Sequence, residues 1–248
     1  MKVMEEKLVF NINNFRNKKK LMIKKLQEAK DRGEVDTDIV PHLEILNSFP
    51  FCFTTSSCSG RIALIDAPLV GPKYESRKAY RWHSIVDPCV IKRAIEEYTP
   101  RHILWLKFDS FIISFSVSSI IWASFFIKLA RYLNLKDSGI RSINPRAGYV
   151  NMDFMSTEKI SVPVKTKNSV LVDETTLENI IKLALFLMKK NKIKLSLLYN
   201  VLIELRNRVS EETDTPPELR VFDPIIEEYR RKIMELRGDR IYKAYESM

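Results

Sequence analysis

The chain is poor in the residues that mark common cofactor-binding and secreted folds. It has six glycines, and no two of them form a Gly-x-Gly pair, so the phosphate-cradling fingerprint of Rossmann proteins is absent. Its three cysteines, Cys52, Cys58 and Cys89, lack Cys-x-x-Cys or Cys/His ligand spacing, so we expect neither a metal site nor a disulfide framework. The sequence does not start with an apolar run and a small-residue cleavage site. These absences predict a protein of the reducing cytoplasm.

Long uncharged runs are also scarce, and the one exception, residues 110–127, is patterned as two shorter elements. Apolar residues alternate with smaller ones over 111–117, which is typical of a strand. Ser118 and Ser119 then offer an N-cap for a helix over Ile120–Leu133. The run therefore predicts a buried strand and a buried helix rather than a membrane span.

Positive charge is in excess, with 41 Lys and Arg against 31 Asp and Glu. Clustered cations favour an anionic partner such as nucleic acid or a membrane surface. The first 34 residues hold ten Lys or Arg and five Asp or Glu, and they predict a basic helix that ends near Gly33. This arm could contact RNA directly or could simply present a solvated face.

The order of predicted elements favours an α+β fold over a doubly wound one. Strands do not alternate with long helices, so we expect a mixed or antiparallel sheet with flanking helices and not a Rossmann methyltransferase fold. The strands at 103–108 and 111–117 are predicted to pair with each other. Asp87-Pro88 and Asp223-Pro224 each predict the start of a helix, and apolar spacing over 177–206 predicts a long helix. We divide the chain into a basic N-terminal arm (1–34), a main catalytic domain (35–207), and an acidic linker with a charged C-terminal helix (208–248).

Two polar segments are candidates for a binding site. Small hydroxyl residues surround Cys58 over 54–59 and lead into Gly60 and Arg61, which predicts a loop of hydrogen-bonding groups with a cation at its exit. The alternative is a turn whose hydroxyls satisfy their own backbone. A second polar and cationic turn covers 138–146, and we expect it to lie beside the first loop so that both line one pocket.

Segment 53–62, which reads Phe-Thr-Thr-Ser-Ser-Cys-Ser-Gly-Arg-Ile, closely resembles the signature of the third wybutosine-synthesizing protein family, in its archaeal form. That family methylates a tricyclic guanosine derivative beside the anticodon of tRNA(Phe). Further landmarks are similar in identity and order, and the resemblance covers roughly residues 36–206. They are Trp82, Lys107-Phe108-Asp109-Ser110-Phe111, Ser138-Gly139-Ile140 and Val162-Pro163-Val164.

The resemblance implies an S-adenosylmethionine-dependent enzyme that methylates N4 of the wybutosine precursor at the guanosine 3′ of the anticodon. It implies tRNA(Phe) as the partner, with no role for DNA or a membrane, and leaves the oligomeric state open. The family places a histidine about five residues after its landmark tryptophan, and this chain departs from it with Asp87 at that position. His83, next to the tryptophan, is the candidate general base because an imidazole suits proton transfer, and its alternative is a structural or surface role. The candidate site comprises Ser57 and His83 for catalysis, and Ser56, Ser57, Cys58, Ser59, Gly60, Arg61, Trp82, Ser138, Gly139 and Arg141 for substrate or cofactor binding.

Two other functions remain compatible with the residues. A non-catalytic RNA-binding module could stack bases on Tyr80 and Trp82. A thiol enzyme could use Cys58 as its nucleophile, although methyl transfer depends mainly on orientation and proton removal and needs no nucleophilic side chain. Arg61 is suited to bidentate binding of an anion, either a carboxylate or an RNA phosphate, and its alternative role is a surface salt bridge.

Overall fold

The computed structural model describes residues 10–209 and 216–237, which form parts of two compact units. Of the described residues, the first unit comprises 10–58, 112–156, 198–209 and 216–224, and the second comprises 59–111, 157–197 and 225–237. In chain order the elements are α1 (Ile12–Asp31), α2 (Val40–Ser48), β1 (Cys52–Cys58), β2 (Arg61–Ala67), β3 (Arg77–Trp82), α3 (Pro88–Glu97), β4 (Ile103–Asp109), β5 (Ile112–Val117), α4 (Ile120–Tyr132), β6 (Gly139–Asn144), β7 (Tyr149–Met155), β8 (Lys159–Thr166), α5 (Glu174–Arg208) and α6 (Asp223–Arg237).

Each unit contains one four-stranded sheet, and every pairing between the named strands is antiparallel. A Rossmann fold requires parallel strands joined by helical crossovers, so the predicted α+β class with antiparallel sheet and flanking helices is confirmed. The two units are built from discontinuous segments and cut across the boundaries expected at residues 34 and 207. That functional division therefore stays a prediction.

The first unit has the strand order β1-β5-β7-β6. Alternate residues of β5 and β7 are buried, as expected for a sheet with one face on a core. Helix α4 packs there through aromatic contacts, among them Phe115 with Phe126 at 5.3 Å and Phe51 stacked on Trp122 at 3.6 Å between ring centroids. Ser119 caps α4 by accepting the Trp122 N–H at 3.3 Å. The predicted strand and helix at 111–133 are thus confirmed.

Helix α1, which falls in the expected basic arm, is packed into the first unit. Phe15 is fully buried and its ring lies 5.2 Å from that of Phe53. The Asn11 N–H donates to the Pro145 carbonyl at 3.2 Å, in the turn between β6 and β7. Gly148 in that turn has φ +84°, and a Cβ there would lie 2.0 Å from the Asn11 carbonyl oxygen, so only glycine permits this approach. Residues 1–9 of the arm lie outside the described residues.

The second unit has the strand order β3-β2-β4-β8, with α3 and α5 packed against one face. Asp87 begins α3 by accepting the Cys89 N–H at 2.8 Å, so the predicted Asp-Pro helix start is confirmed. The shared core consists of Ile62, Leu64, Ile91, Ala94, Ile95, Leu104, Leu106, Phe108, Val164, Leu177, Ile181, Ala184, Leu185 and Met188.

The predicted pairing of 103–108 with 111–117 is wrong. Strand β4 pairs with β2 and β8 in the second unit, whereas β5 pairs with β1 and β7 in the first. A two-residue hairpin would need residues that accept positive φ, usually Gly, Asn or Asp. The connecting residues Ser110 and Phe111 are none of these. Phe111 is instead fully buried. The chain therefore passes from one sheet to the other at this point.

The C-terminal segment is described in part. Helix α6 begins at the predicted Asp223-Pro224 start, and most of the expected acidic linker, residues 210–215, lies outside the described residues. In the second unit Glu158 accepts from the buried Lys194 ammonium at 2.7 Å and pairs with Lys190 at 2.8 Å. Burial, with the nearby Glu158 charge, raises the pKa of Tyr229 to about 12. Over 10–209 and 216–237, no helix has both the length and the apolar character needed to cross a membrane.

Asp66 is the polar anchor of the second unit. Its carboxylate is 1% exposed and accepts the N–H groups of Arg101 at 2.7 Å and His102 at 2.9 Å. It also accepts the Tyr98 hydroxyl at 3.3 Å. The side chain therefore joins β2 to the turn that connects α3 and β4.

We expect Asp66→Ala to lower the free energy of unfolding by about 2–4 kcal/mol, because it removes the acceptor of the Arg101 and His102 N–H groups and of the Tyr98 hydroxyl. Urea denaturation measures the change. Glu97→Ala, an exposed carboxylate at the end of α3, is the matched control and should change stability by less than about 0.5 kcal/mol. Equal losses in the two variants would contradict the anchoring role.

Candidate active site

The hydroxyl-rich segment predicted as a loop is a strand as far as Cys58. Strand β1 forms one edge of the first unit's sheet and pairs with β5, with a bulge between Thr54 and Ser56. Thr tolerates strand geometry well, and an edge strand can keep small polar side chains in solvent. Thr55 and Ser56 are accordingly exposed and Ser57 is half-buried. The expectation of a loop over 54–58 was wrong for this reason.

Asn47 of α2 holds the bulged part of β1. Its side-chain oxygen accepts the Thr54 N–H at 2.9 Å, and its side-chain nitrogen donates to the Thr54 hydroxyl at 2.8 Å. On the other side the Thr55 hydroxyl donates to the Ser114 carbonyl at 3.2 Å. The hydroxyls of Ser56 and Ser57 are thereby presented from a fixed backbone.

These hydroxyls line a cavity of about 440 Å³ in the first unit. Its volume lies in the range of small-molecule sites. The lining combines hydroxyls with one cation and one carboxylate, a donor set suited to a polar, zwitterionic ligand. Hydrogen bonding to Arg32 lowers the pKa of Glu34, which keeps that carboxylate ionised at neutral pH. The residues around the cavity are Met22, Lys25, Leu26, Ala29, Glu34, Val35, Leu43, Thr54, Thr55, Ser56 and Ser57.

The second predicted segment does not join this cavity. Ser56 pairs with Ser114, Ser114 with Asp153, and Asp153 with Gly139, so β1 and β6 are opposite edges of the sheet. Three strand spacings separate them, about 14 Å. The single pocket expected from residues 54–61 and 138–146 is therefore wrong, because sheet order placed two strands between its halves.

Ser138 and Arg141 make contacts that stabilise the sheet edge. The Ser138 hydroxyl accepts the Met155 N–H at 2.9 Å and donates to the Met155 carbonyl at 3.2 Å. Arg141 forms an ion pair with Asp153, whose side chain is 6% exposed. Gly139 has no heavy atom within 4 Å of an added Cβ position. A ligand-binding role for these three residues stays a prediction.

The end of the signature, from Ser59 onward, belongs to the second unit, and the chain turns there at Gly60. Its φ is +91°, and an added Cβ would lie 2.5 Å from the Asn191 side-chain nitrogen. That nitrogen donates to the Ser59 carbonyl at 2.8 Å, while the Asn191 oxygen accepts the Phe111 N–H at 2.7 Å. Asn191 is 1% exposed. The glycine is thus required both by its conformation and by the space that Asn191 fills.

Sequence reasoning missed Asn191, although a signal was present. It lies three residues after Met188 and four before Leu195, on the buried stripe of α5. A polar residue at such a position needs buried hydrogen-bond partners. The predicted site also lacks the lining groups Lys25 and Glu34, because both fall in the segment predicted as a separate basic arm.

Arg61 lies opposite Asp109 across the β2–β4 ladder, and their nearest charged atoms are 3.5 Å apart. Both side chains keep substantial exposure, 31% and 42%. An exposed pair of this kind contributes about 0–1 kcal/mol to stability, so Arg61 is not needed for folding. The salt bridge considered as its alternative is present, and binding of a further anion stays a prediction.

Trp82 is the last residue of strand β3, and His83 follows it. Trp82 packs against the core and stacks on Tyr80, with centroids 5.9 Å apart and planes within 4°. Tyr80 is exposed and Trp82 is half-buried, so the pair keeps some surface accessible to a base. His83 is half-buried, and its carbonyl accepts from the Lys192 ammonium at 2.8 Å.

The three cysteine thiols lie in different environments. Burial raises the pKa of the Cys52 thiol, and hydrogen bonding to Asp87 raises that of the exposed Cys89. Both thiols are therefore protonated at neutral pH and are poor nucleophiles. Cys58 is half-buried at the end of β1, opposite Ile112.

A non-Rossmann α+β architecture with a hydroxyl-lined cavity is compatible with a methyltransferase. Comparison with known families identifies a methyltransferase family that matches this chain. The chain belongs to the family described as Methyltransferase TYW3, whose model matches residues 17–204. The resemblance inferred from segment 53–62 is confirmed. The matched range begins within α1 and ends within α5.

Relatives and solved structures support the same assignment. A Pyrococcus horikoshii protein is 33% identical over 185 residues, which cover 75% of this chain and 93% of the relative. An Archaeoglobus fulgidus protein is 33% identical over 188 residues, 76% of this chain and 93% of its own. Both are named as tRNA(Phe) 7-((3-amino-3-carboxypropyl)-4-demethylwyosine(37)-N(4))-methyltransferases. The solved structure of the PH1069 protein from P. horikoshii matches with a TM-score of 0.72 at 31% identity, covering 77% of this chain and 97% of that one.

Gly60→Ala and Asn191→Ala should each destabilise the protein by about 2–4 kcal/mol, the first through a strained φ and steric overlap and the second through unpaired buried groups. The double variant removes the overlap, so its loss should be smaller than the sum by about 1 kcal/mol or more. Denaturant unfolding of all three measures this coupling.

Gly139→Ala is the control, since an added Cβ there meets nothing within 4 Å. It should be close to neutral. Strict additivity of Gly60→Ala and Asn191→Ala would show that the two residues do not share the space as described.

Proposed function

We propose that this chain transfers a methyl group from S-adenosylmethionine to N4 of the 7-aminocarboxypropyl-demethylwyosine base of tRNA(Phe). The activity named for the archaeal relatives supports this substrate. The observation that carries the proposal is that the hydroxyl half of the family signature opens into a cavity of ligand size. The excess of cations supports an RNA partner.

The chemistry of the cavity lining fits the cofactor. Ser56 and Ser57 would hydrogen-bond its hydroxyl and amino-acid groups, Lys25 would bind its carboxylate, and Glu34 its ammonium. When bound, S-adenosylmethionine supplies an electrophilic methyl group. The protein's own task is to hold this group in line with the ring nitrogen and to keep water away, and orientation of that kind accounts for much of the rate.

The attacking nitrogen must also lose a proton. We assign His83 as the acceptor, because a neutral imidazole nitrogen is a common general base in proton transfer. The Lys192 contact to its carbonyl fixes the backbone from which the ring projects. Ser57 is assigned to orient the reacting groups through its hydroxyl.

We assign Arg61 to recognition of an anion of the substrate, either the carboxylate of the modified base or an RNA phosphate. Its guanidinium can accept such a ligand while it retains Asp109, since a planar fork offers five N–H donors. The side chain is 31% exposed and so is accessible to a bound molecule.

The purified protein should bind S-adenosylmethionine, and Lys25→Ala should weaken that binding about tenfold or more, because a charge-assisted hydrogen bond is lost. Ser57→Ala should weaken it about fivefold through loss of a neutral one. Calorimetry measures both. Lys20→Ala, on an exposed position of the same helix, is the control for cofactor affinity.

Methylation of precursor tRNA, followed by mass spectrometry of the modified nucleoside, tests the reaction itself. A protein that binds no S-adenosylmethionine with or without tRNA is not this enzyme. Binding that is indifferent to both Lys25 and Ser57 would place the cofactor outside the cavity.

Arg61→Lys should lose most of the methylation activity, because an ammonium cannot bind an anion in the bidentate way. Asp109→Asn is the matched variant, since it breaks the same ion pair and keeps the guanidinium. It should retain most activity, and both proteins should unfold within about 1 kcal/mol of the native one. Equal activity losses in the two variants would show that Arg61 acts only through its salt bridge with Asp109.

A further inference from the structure

The sheet of the second unit has one face against α3 and α5 and a second face of different composition, which we call the open face. Side chains alternate along each strand, so register assigns them to faces. Lys78, Arg81, Lys159 and Ser161 on this face are exposed. By pairing and alternation the open face comprises Arg61, Ala63, Ile65, Lys78, Arg81, Trp105, Lys107, Asp109, Lys159, Ser161 and Pro163.

The open face carries five cations and one carboxylate. The carboxylate, Asp109, lies opposite Arg61 on one neighbouring strand and Lys159 on the other. Lys78, Arg81 and Lys107 have no ion pair with any residue in the described part of the chain. A positive surface with uncompensated charge attracts a polyanion.

Local packing fixes how these cations are spaced. Arg81 and Lys107 lie on either side of Ala63 in one row across three strands, about 10 Å apart in backbone spacing. Ala63 is small and buried, so the row forms a shallow trough between two long side chains. The Lys107 ammonium is 5.8 Å from the Trp105 ring centroid, and the indole N–H donates to the Ala67 carbonyl at 3.2 Å.

We propose that the open face binds the phosphate backbone of the substrate RNA, with Lys78, Arg81 and Lys107 as the principal contacts. A four-stranded sheet with basic and aromatic side chains on one face is a general solution to RNA binding. Phosphate contacts position the nucleic acid and carry little sequence information, so this face would orient the tRNA and leave base selection to the active site. The inference rests on the proposed function insofar as tRNA is the substrate.

The same idea gives a role to Lys107 of the family landmark at 107–111, which neither folding nor the cofactor cavity explains. Its neighbours Phe108 and Phe111 are fully buried and belong to the core. Lys107 alternates with Phe108 and lies on the opposite side of β4. We therefore attribute the presence of a lysine at this position to RNA binding and not to core packing.

The helix α1 is the rival location for phosphate contacts. Several of its cations already have partners in the protein: Lys19 donates to the Phe49 carbonyl, Lys24 lies 3.9 Å from Glu28, and Lys30 pairs with Glu44 at 2.6 Å. Deleting the arm would also remove the buried Phe15 from its contact with Phe53. Charge neutralisation is therefore the appropriate comparison.

The test measures binding of an unmodified tRNA(Phe) transcript as a function of salt. The triple variant Lys78→Gln, Arg81→Gln, Lys107→Gln should weaken binding roughly tenfold near 0.1 M salt and reduce the slope of log affinity against log salt by about 2. The double variant Lys78→Gln, Arg81→Gln changes only exposed side chains and should give a proportionate part of the effect. The matched control neutralises Arg16, Lys18 and Lys20 of α1.

Two results would overturn the inference: an unchanged salt slope in the sheet variants, or a loss confined to the α1 variant. Binding of the open face to anionic phosphatidylserine vesicles but not to tRNA would also overturn it. S-adenosylmethionine affinity, measured in parallel, should be the same in every variant. If the sheet variants lose tRNA affinity while no precursor is methylated by the wild-type protein, the proposed reaction fails and the RNA-binding face stands.

Discussion

The buried side-chain amide of Asn191 joins two backbone segments of the second unit, one at Ser59 and one at Phe111. One end of the amide accepts from Phe111 and the other donates to Ser59. An amide is suited to this task because it offers a donor and an acceptor in one rigid plane. The chain passes from one unit to the other after Cys58 and again after Phe111. Asn191 therefore fixes the backbone at both of these passages from the side of the second unit.

The family signature is continuous in sequence but divided in structure. Residues 54–58 lie in β1 of the first unit, where their hydroxyls face a cavity. Ser59, Gly60 and Arg61 belong to the second unit, where they form a turn and begin β2. The two halves thus meet different physical demands: hydrogen-bonding capacity in the first, and conformational freedom with a guanidinium in the second. The motif is long because a single continuous segment meets both of these demands.

Elements with strong local signals could be predicted from the sequence. Asp87 and Ser119 cap α3 and α4 as expected, and the apolar spacing of α5 gave its position to within three residues at each end. The hydroxyl-rich strand was mistaken for a loop because Ser and Thr suit both, and only pairing with β5 decides between them. The order of strands is a long-range property that no local pattern contains. For that reason Ser56 and Gly139 were expected to be neighbours and are instead on opposite edges.

Asn47 has a consequence for how the molecule behaves among copies of itself. An edge strand with unpaired N–H groups is a template on which another chain can add a strand, the first step towards aggregation. The Asn47 side chain occupies the Thr54 N–H, and the adjacent bulge disturbs the regular ladder. Small polar residues can thus line an accessible edge without inviting a second strand. The edge that carries the signature is in this way made a poorer template for pairing with a strand of another copy.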